Sequence, residues 1–245
     1  MMSDISKRDF IKLGILALSD SACTIVVNPK VMEALYSDEP ANIRKVINSY
    51  RLLHTTLDYE ADNTSYQTNH LGTGIAYGNL ILTLDHIVTF SPFELNIIRE
   101  RYNAQSIRKI KEETFLQGHK LESIVKDSDS DLAVLRHPQV QLQSPHNSFY
   151  PFEIGDSDKL RYGQPIILIG NPGSRGWNIR EGIISSHVMK SPSGSEGFYI
   201  SPLVERGDSG SAVVDKHTFQ LLGLVAEIYG ISSFARPINM FKPYL

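Results

Sequence analysis

The sequence predicts an all-β fold, a sandwich or a barrel, behind an N-terminal segment of different character. Two observations lead to this prediction. Short apolar runs recur along the second two thirds of the chain, and Gly, Asn, Asp, Ser or Pro residues separate them. No repeat of fixed period and no regular alternation of strand and helix patterns accompanies these runs. The runs are Ile75 to Tyr77, Leu80 to Leu84, Leu121 to Val125, Leu132 to Leu135, Ile166 to Ile169, Phe198 to Ile200 and Leu221 to Val225.

Composition excludes several classes of function. The 245 residues suffice for a sizeable core, and 41% apolar with 21% charged residues is ordinary for a globular protein. A net charge of -3 gives no basic footprint, so we expect no nucleic-acid partner. We also expect no stable membrane insertion, no metal and no cofactor, because long apolar runs and metal-ligand spacings are absent from the sequence. The single cysteine, Cys23, has no partner for an internal disulfide.

Residues 1–40 are predicted to be an extension outside the β fold. The segment Ser6–Lys12 resembles a twin-arginine export signal, with Lys7 at the place of the usual first arginine, and the apolar run Leu13–Leu18 follows. Asp20 interrupts this run. The pattern therefore favours an exported protein, periplasmic or extracellular, and leaves open an ordinary amphipathic extension on a cytoplasmic one.

Residues 41–57 are predicted to form an amphipathic helix after Pro40. The prediction rests on apolar residues at helical spacing: Ile43, Val46, Ile47, Tyr50, Leu53 and Leu57.

A β-hairpin is predicted where Gly78-Asn79 separates two apolar runs, because a two-residue loop that begins with Gly suits a primed turn. His86 then lies just past the end of the second strand, where a loop can present it. Ser91–Gln105 is predicted to be an inserted surface loop or short helix, and Pro145–Gly155 to be a linker between two halves.

The most informative local motif is Arg206–Ser211, which contains Gly207-Asp208-Ser209-Gly210 before an apolar strand. A serine hydroxyl is a poor nucleophile and needs a neighbouring base. Flanking glycines allow the tight turn that directs backbone N–H groups at a developing oxyanion. The expected donors are the N–H groups of Gly207 and Ser209.

Three motifs together resemble the trypsin/chymotrypsin superfamily. Gly207–Gly210 resembles its nucleophile motif, Ile81–Val88 its histidine motif and Asp131–Leu135 its aspartate motif, in the superfamily's order. The resemblance is closest to the bacterial Deg/HtrA branch. The segments that resemble this branch are Gly72–Ile75, Leu168–Pro172, Glu181–Ser185 and Phe234–Met240.

The resemblance implies two packed antiparallel β-barrels after an N-terminal helical extension. Residues 41–150 would hold the helix and the first barrel, and residues 151–245 the second. Because the sequence ends at Leu245, it leaves no room for the C-terminal PDZ module that many members of the branch carry.

The resemblance also implies a serine endopeptidase that acts on polypeptide substrates through an acyl-enzyme. Ser209 would be the nucleophile, His86 the general base and acid, and Asp131 the acid that orients the imidazole. Asp127 and Asp129 compete for the last role, but they lie in a Ser/Asp-rich turn, whereas Asp131 directly precedes the strand. With a neutral imidazole as base, activity is expected to rise through roughly pH 6 to 8.

Two rival functions were weighed. An α/β-hydrolase requires Gly-x-Ser-x-Gly and an acid and histidine after the serine; Ser211 occupies the last glycine, and Asp215 and His217 are too close together. The remaining alternative is a catalytically inactive protease homologue that binds peptides by strand addition. The sequence does not determine the oligomeric state.

Substrate preference is predicted from positions around the nucleophile. In this superfamily the residue six before the nucleophile commonly lies at the floor of the primary pocket, here Leu203. The pocket wall would come from Ala226, Glu227 and Ile228. Because the floor carries no acid, we expect small or medium aliphatic residues before the scissile bond, unless Glu205 or Glu227 turns inward.

Overall fold

The computed structural model describes residues 50–116, 118–138, 152–170, 178–191, 194–201, 203–230 and 232–245. The predicted export signal, Cys23 and most of the predicted linker lie outside these residues. The described strands form two seven-stranded sheets whose neighbouring strands all pair antiparallel. None of the helices in this part of the chain has the length and apolar character needed to cross a bilayer.

The first sheet is built from the N-terminal half of the described chain, and its strand order is β5-β4-β1-β2-β3-β7-β6. It curls, since the N–H of Leu121, between strands β5 and β6, donates to Thr114 on β4. Its strands are β1 Tyr50–Ala61, β2 Thr64–Tyr77, β3 Leu80–Thr83, β4 Ile107–Leu116, β5 His119–Lys120, β6 Glu122–Asp127 and β7 Leu132–Arg136. Between β3 and β4 lie helices α1 Asp85–Val88 and α2 Pro92–Arg101.

The predicted helix over residues 41–57 is wrong from residue 50 onward, where the chain forms strand β1; residues 41–49 lie outside the described part. Every second residue of β1 is buried, from Leu53 through Thr55 to Leu57 and beyond. Leucines four residues apart fit both helical and strand periodicity. The residue that distinguishes a strand from a helix here is Thr55, whose buried hydroxyl donates to the carbonyl of Ile87 at 2.8 Å.

The predicted hairpin and the predicted short helix are both confirmed. Strands β2 and β3 pair up to Tyr77 and Leu80, and Gly78 has a φ of 58°, as a primed turn requires at its first position. Helix α2 begins with a capping box, in which Ser91 accepts from the N–H of Glu94 and the Glu94 carboxylate accepts from the N–H of Ser91.

The second sheet has the order β10-β11-β14-β13-β12-β8-β9 and closes on itself. Closure comes from an additional pairing between β11 and β9, with Ile200 opposite Ile184. These two curled sheets confirm the predicted all-β, double-barrel fold. The strands are β8 Pro165–Gly170, β9 Asn178–Ile184, β10 Met189–Lys190, β11 Glu196–Ser201, β12 Ala212–Asp215, β13 Leu221–Tyr229 and β14 Ser232–Pro237.

The two barrels share part of their core, beside a smaller buried cluster in each. A single cluster of buried apolar residues joins Ile75 and Leu82 of the first sheet to Ile169 and Leu224 of the second. The loop after β3 and the loop before β12 meet at this boundary, where the N–H of Thr73 donates to the carbonyl of Ser209 and the Gly210 position lies against Ile87.

Candidate active site

Helix α1 presents His86 one residue after its first position. Ile87 is buried against β2, where a Cβ on Gly72 would lie 2.3 Å from the Ile87 Cγ2 atom, so only glycine permits this approach. His86 itself remains 42% exposed at its side chain. The preceding acid, Asp85, is buried and accepts hydrogen bonds from the hydroxyls of Thr89 and Ser128 at 2.9 and 2.6 Å. Those bonds engage both of its carboxylate oxygens.

Asp131 contacts the imidazole directly. His86 Nδ1 lies 2.9 Å from Oδ1 and 3.1 Å from Oδ2, and the backbone N–H of His86 donates to Oδ1 at 3.1 Å. Asp131 has a φ of 52°, the left-handed conformation that Asp tolerates better than most residues, immediately before β7. The competing Asp127 instead accepts from the N–H groups of Asp129 and Ser130, and so shapes the turn.

The contact between His86 and Asp131 raises the pKa of His86 and lowers the pKa of Asp131. Burial lowers the pKa of His86, but the hydrogen bond to Asp131 and the negative charge of that carboxylate outweigh burial, so the pKa lies above 6.5. Burial raises the pKa of Asp131, yet the hydrogen bonds from His86 outweigh it and hold that pKa below its usual 3.8. The arrangement therefore keeps Asp131 ionised and stabilises an imidazolium.

The loop that carries Ser209 is docked on strand β2 and reaches Ile87, the residue after His86. The carbonyl of Ser209 accepts from the N–H of Thr73 at 3.3 Å. A Cβ on Gly210, which has a φ of 82°, would lie 2.0 Å from the Thr73 carbonyl oxygen and 2.9 Å from Ile87 Cδ1. Between these described residues, no hydrogen bond joins the Ser209 hydroxyl to His86. Such bonds are often long in unliganded enzymes and tighten when substrate binds.

Not every backbone N–H group of this loop donates a hydrogen bond within the described part of the chain. Asp208 donates its N–H to Glu205, and Gly210 donates its N–H to Val225. The N–H groups of Gly207 and Ser209 donate to no group in the described part of the chain. They are the two donors that the sequence predicted for an oxyanion, and Gly207 has a positive φ of 96°.

An ion pair beneath the Ser209 loop was not predicted from the sequence. Asp208 is 0% exposed; one carboxylate oxygen accepts from Arg180 Nη2 at 2.6 Å and the other from the N–H of Glu205 at 2.8 Å. A Cβ on Gly170 would lie 2.1 Å from the Asp208 carboxylate, so glycine makes room for the pair. The ion pair fixes the residue before Ser209.

A second unpredicted residue lies behind Asp131. The side chain of Arg236 on β14 is 2% exposed, and its Nη2 lies 3.3 Å from Asp131 Oδ2. The same nitrogen contacts Glu227, and Nη1 donates to the carbonyl of Glu196 at 3.2 Å. The sequence signal for this residue was an arginine in the otherwise apolar segment Phe234–Ile238.

The four predicted pocket residues differ in their surroundings. Ala226 is buried, whereas Leu203 and Ile228 are 53% and 44% exposed. Glu227 is held by Arg236 and by the hydroxyl of Tyr229. The place of Leu203 at a pocket floor stays a prediction.

Two barrels with a histidine and an acid on the first and a serine loop on the second define the class of trypsin-like serine proteases. A family model described as the trypsin-like peptidase domain matches residues 72–224, more than half of the sequence. The chain belongs to that family.

Similar proteins come from the HtrA group. The chain is 35% identical over 130 residues to a probable periplasmic serine protease do/HhoA-like of Haemophilus influenzae, covering 49% of this chain and 26% of that protein. It is 27% identical over 200 residues to a serine protease HtrA-like of Staphylococcus epidermidis, covering 73% of this chain and 31% of that protein. The chain thus spans about a quarter to a third of these relatives.

A solved structure with a similar fold is that of the HtrA-type protease AlgW with a decapeptide. Its TM-score is 0.57 at 18% identity, covering 81% of this chain and 63% of that one. At this identity the likeness concerns the fold.

Proposed function

We propose that this chain is a serine endopeptidase with Ser209 as nucleophile, His86 as general base and acid, and Asp131 as the orienting acid. The observation that carries the proposal is the hydrogen-bonded His86–Asp131 pair on the first barrel, the barrel to which the Ser209 loop is joined through the N–H of Thr73 on β2. Family membership supports the same assignment.

The chemistry proceeds through two transfers of the acyl group. Ser209 Oγ attacks the peptide carbonyl carbon while its proton passes to His86 Nε2, which is the free acceptor when Nδ1 donates to Asp131. The negative oxygen of the tetrahedral intermediate accepts from the N–H groups of Gly207 and Ser209. His86 then protonates the leaving amine, and an acyl-Ser209 remains. Water, deprotonated by His86, attacks this ester; the C–Oγ bond breaks, the imidazolium returns its proton to Ser209 Oγ, and the acid product leaves.

Asp131 orients the imidazole and stabilises the imidazolium. Hydrogen bonds from both the ring and the backbone of His86 fix the carboxylate relative to the helix that carries its partner. Because its pKa is lowered, Asp131 stays ionised throughout the pH range in which the imidazole works.

The proposed substrates are polypeptides with a small or medium aliphatic residue before the scissile bond. Glu227 is occupied by Arg236 and Tyr229, which removes one acid as a receptor for Lys or Arg. Cleavage of a peptide library chiefly after Lys or Arg would refute this preference. We also propose that this chain is exported, as the periplasmic description of the Haemophilus influenzae relative would suggest.

Hydrolysis of unfolded casein by the full chain tests the reaction. Ser209→Ala and His86→Ala are expected to abolish it, and Asp131→Asn to lower kcat by about 10⁴-fold, as in other Ser-His-Asp triads. Asp129→Asn is the matched control and is expected to retain activity. Hydrolysis by Ser209→Ala equal to that of the wild type would refute the proposal, and no hydrolysis by the folded wild type would favour a non-catalytic peptide binder.

A further inference from the structure

Arg236 carries a buried positive charge between two carboxylates from different parts of the fold. Asp131 lies at the start of β7 in the first barrel, and Glu227 lies on β13 in the second. Nη2 of Arg236 contacts both carboxylates, and the ring of Phe234 lies 5.7 Å from the guanidinium carbon. The side chain is 2% exposed, so water screens these contacts little.

A buried guanidinium that contacted Asp131 alone would weaken His86 as a base. It would draw the negative charge of Asp131 away from the imidazole and so disfavour the imidazolium. Glu227 offsets that effect, because it binds the same Nη2 and supplies a second negative charge. The hydroxyl of Tyr229 fixes the other oxygen of Glu227.

We infer that Arg236 and Glu227 form a positioning pair. Arg236 holds Oδ2 of Asp131 in place, and Glu227 balances the positive charge of Arg236, so that together they set the basicity of His86. This inference rests on the proposed function and adds two residues to it. Neither residue contacts the reacting atoms, so each acts through Asp131. The pair also ties the orienting acid of the first barrel to a strand of the second.

Other charged groups face His86 and remain the same in the variants below. Glu94 on α2 favours the imidazolium of His86, and burial together with the charge of His86 lowers the pKa of His70 on β2. Asp85 is satisfied by two hydroxyls, and Lys126 donates to the carbonyl of Val88 at 2.7 Å. Arg236 is the cation whose contact reaches Asp131 directly.

The inference predicts pKa shifts of opposite sign at His86. Arg236→Met removes the cation and raises the pKa of His86, by on the order of one unit for a charge one carboxylate away. Glu227→Gln leaves the cation uncompensated and lowers that pKa. The double variant is expected to lie between the two, and Arg236→Lys, which keeps the charge, near the wild type.

The measurement is an NMR titration of the His86 ring in a Ser209→Ala background, with the signal assigned by its loss in His86→Gln. It needs no turnover, so it separates this inference from the proposed function. A wild-type chain that hydrolyses no casein would refute the function, and the titration would still report the coupling. Glu122→Gln, which breaks an exposed ion pair with Arg136, is the control and is expected to leave the pKa unchanged.

Activity supplies the second readout. The acid limb of kcat/KM is expected to move up in pH for Arg236→Met and down for Glu227→Gln, whereas a purely structural role would lower activity without moving it. Shifts below about 0.2 unit in both variants, or shifts of the same sign, would overturn the inference. If Arg236→Met does not fold, Glu227→Gln alone decides the outcome, and an unchanged His86 pKa in that variant would overturn the inference. Glu227→Gln is expected to fold, because the Glu227 side chain is 25% exposed.

Discussion

At the scale of the residue, His86 carries two opposing influences on its protonation. Its partial burial disfavours the imidazolium, and Asp131 favours it more strongly through a 2.9 Å hydrogen bond. A base in such an environment loses its proton at higher pH than a free histidine.

The direction of this shift predicts the pH dependence of activity. Only the neutral imidazole accepts the Ser209 proton, and a raised pKa means that neutrality is reached later as pH increases. The midpoint of the acid limb of kcat/KM is therefore expected above 6.5. A peptide assay between about pH 5 and 9 measures it. A midpoint below 6.5 would contradict the observed pairing of His86 with Asp131.

The sequence located the proposed triad but missed two arginines. Ser209, His86 and Asp131 lie in motifs whose order and neighbours carry local information. Arg236 and Arg180 have no such motif, and charged residues are ordinarily placed at the surface. Their burial follows from carboxylates distant in sequence, Asp131 and Asp208, which only the folded chain brings near.

At the scale of the element, the turn around Ser209 depends on the close approach of β2. Gly210 has no room for a side chain, because a Cβ would meet the Thr73 carbonyl at 2.0 Å, and its φ of 82° is unfavourable for other residues. The docking of the serine loop on strand β2 thus requires glycine at this position.

Gly210→Ala is expected to displace this loop. The strained φ and the overpacking together are expected to lower the free energy of unfolding by about 3 kcal/mol and kcat/KM by at least about 10²-fold. Gly78→Ala is the matched control, because Gly78 also has a positive φ but nothing within 4 Å of its Cβ position. It is expected to cost about 1 kcal/mol and to leave activity intact. Equal effects of both substitutions would contradict the steric account.

The ion pair between Arg180 and Asp208 predicts a second contrast along strand β9. Arg180→Met leaves a fully buried carboxylate without its cation and is expected to cost about 3–5 kcal/mol in urea unfolding. Glu181→Gln, at the next residue, breaks an ion pair with Lys216, and the Glu181 side chain is 67% exposed. It is expected to cost at most about 1 kcal/mol. An Arg180→Met protein as stable as Glu181→Gln would show that Asp208 does not need this partner.

Strand β1 shows where a sequence pattern misleads. Leu53 and Leu57 fit a helix as well as a strand. The alternation of buried residues becomes evident only with Thr55, a polar residue that is buried and whose hydroxyl makes two hydrogen bonds. Runs of β-branched and aliphatic residues between turn signals were predicted correctly, because strand length and turn chemistry are both local. The hairpin at Gly78 is the clearest of these.

At the scale of the whole molecule, the shared core predicts that the two barrels unfold together. Ile75 and Leu82 of one sheet pack in the same buried cluster as Ile169 and Leu224 of the other, and Asp131 and Arg236 pair across the boundary. Hydrogen exchange in increasing urea is expected to show backbone protection lost in both sheets at the same midpoint. Protection that persists in the second sheet after the first has lost its own would contradict this account.

The central claim is that Ser209 is made nucleophilic by its place in the cleft between the barrels. A fluorophosphonate probe reacts with such a serine, and mass spectrometry of the digested adduct identifies the residue. The account predicts modification of Ser209 in the folded wild type, in the absence and presence of peptide, and strongly slowed modification in His86→Ala. Modification at another residue, or none of the folded chain under either condition, would contradict it.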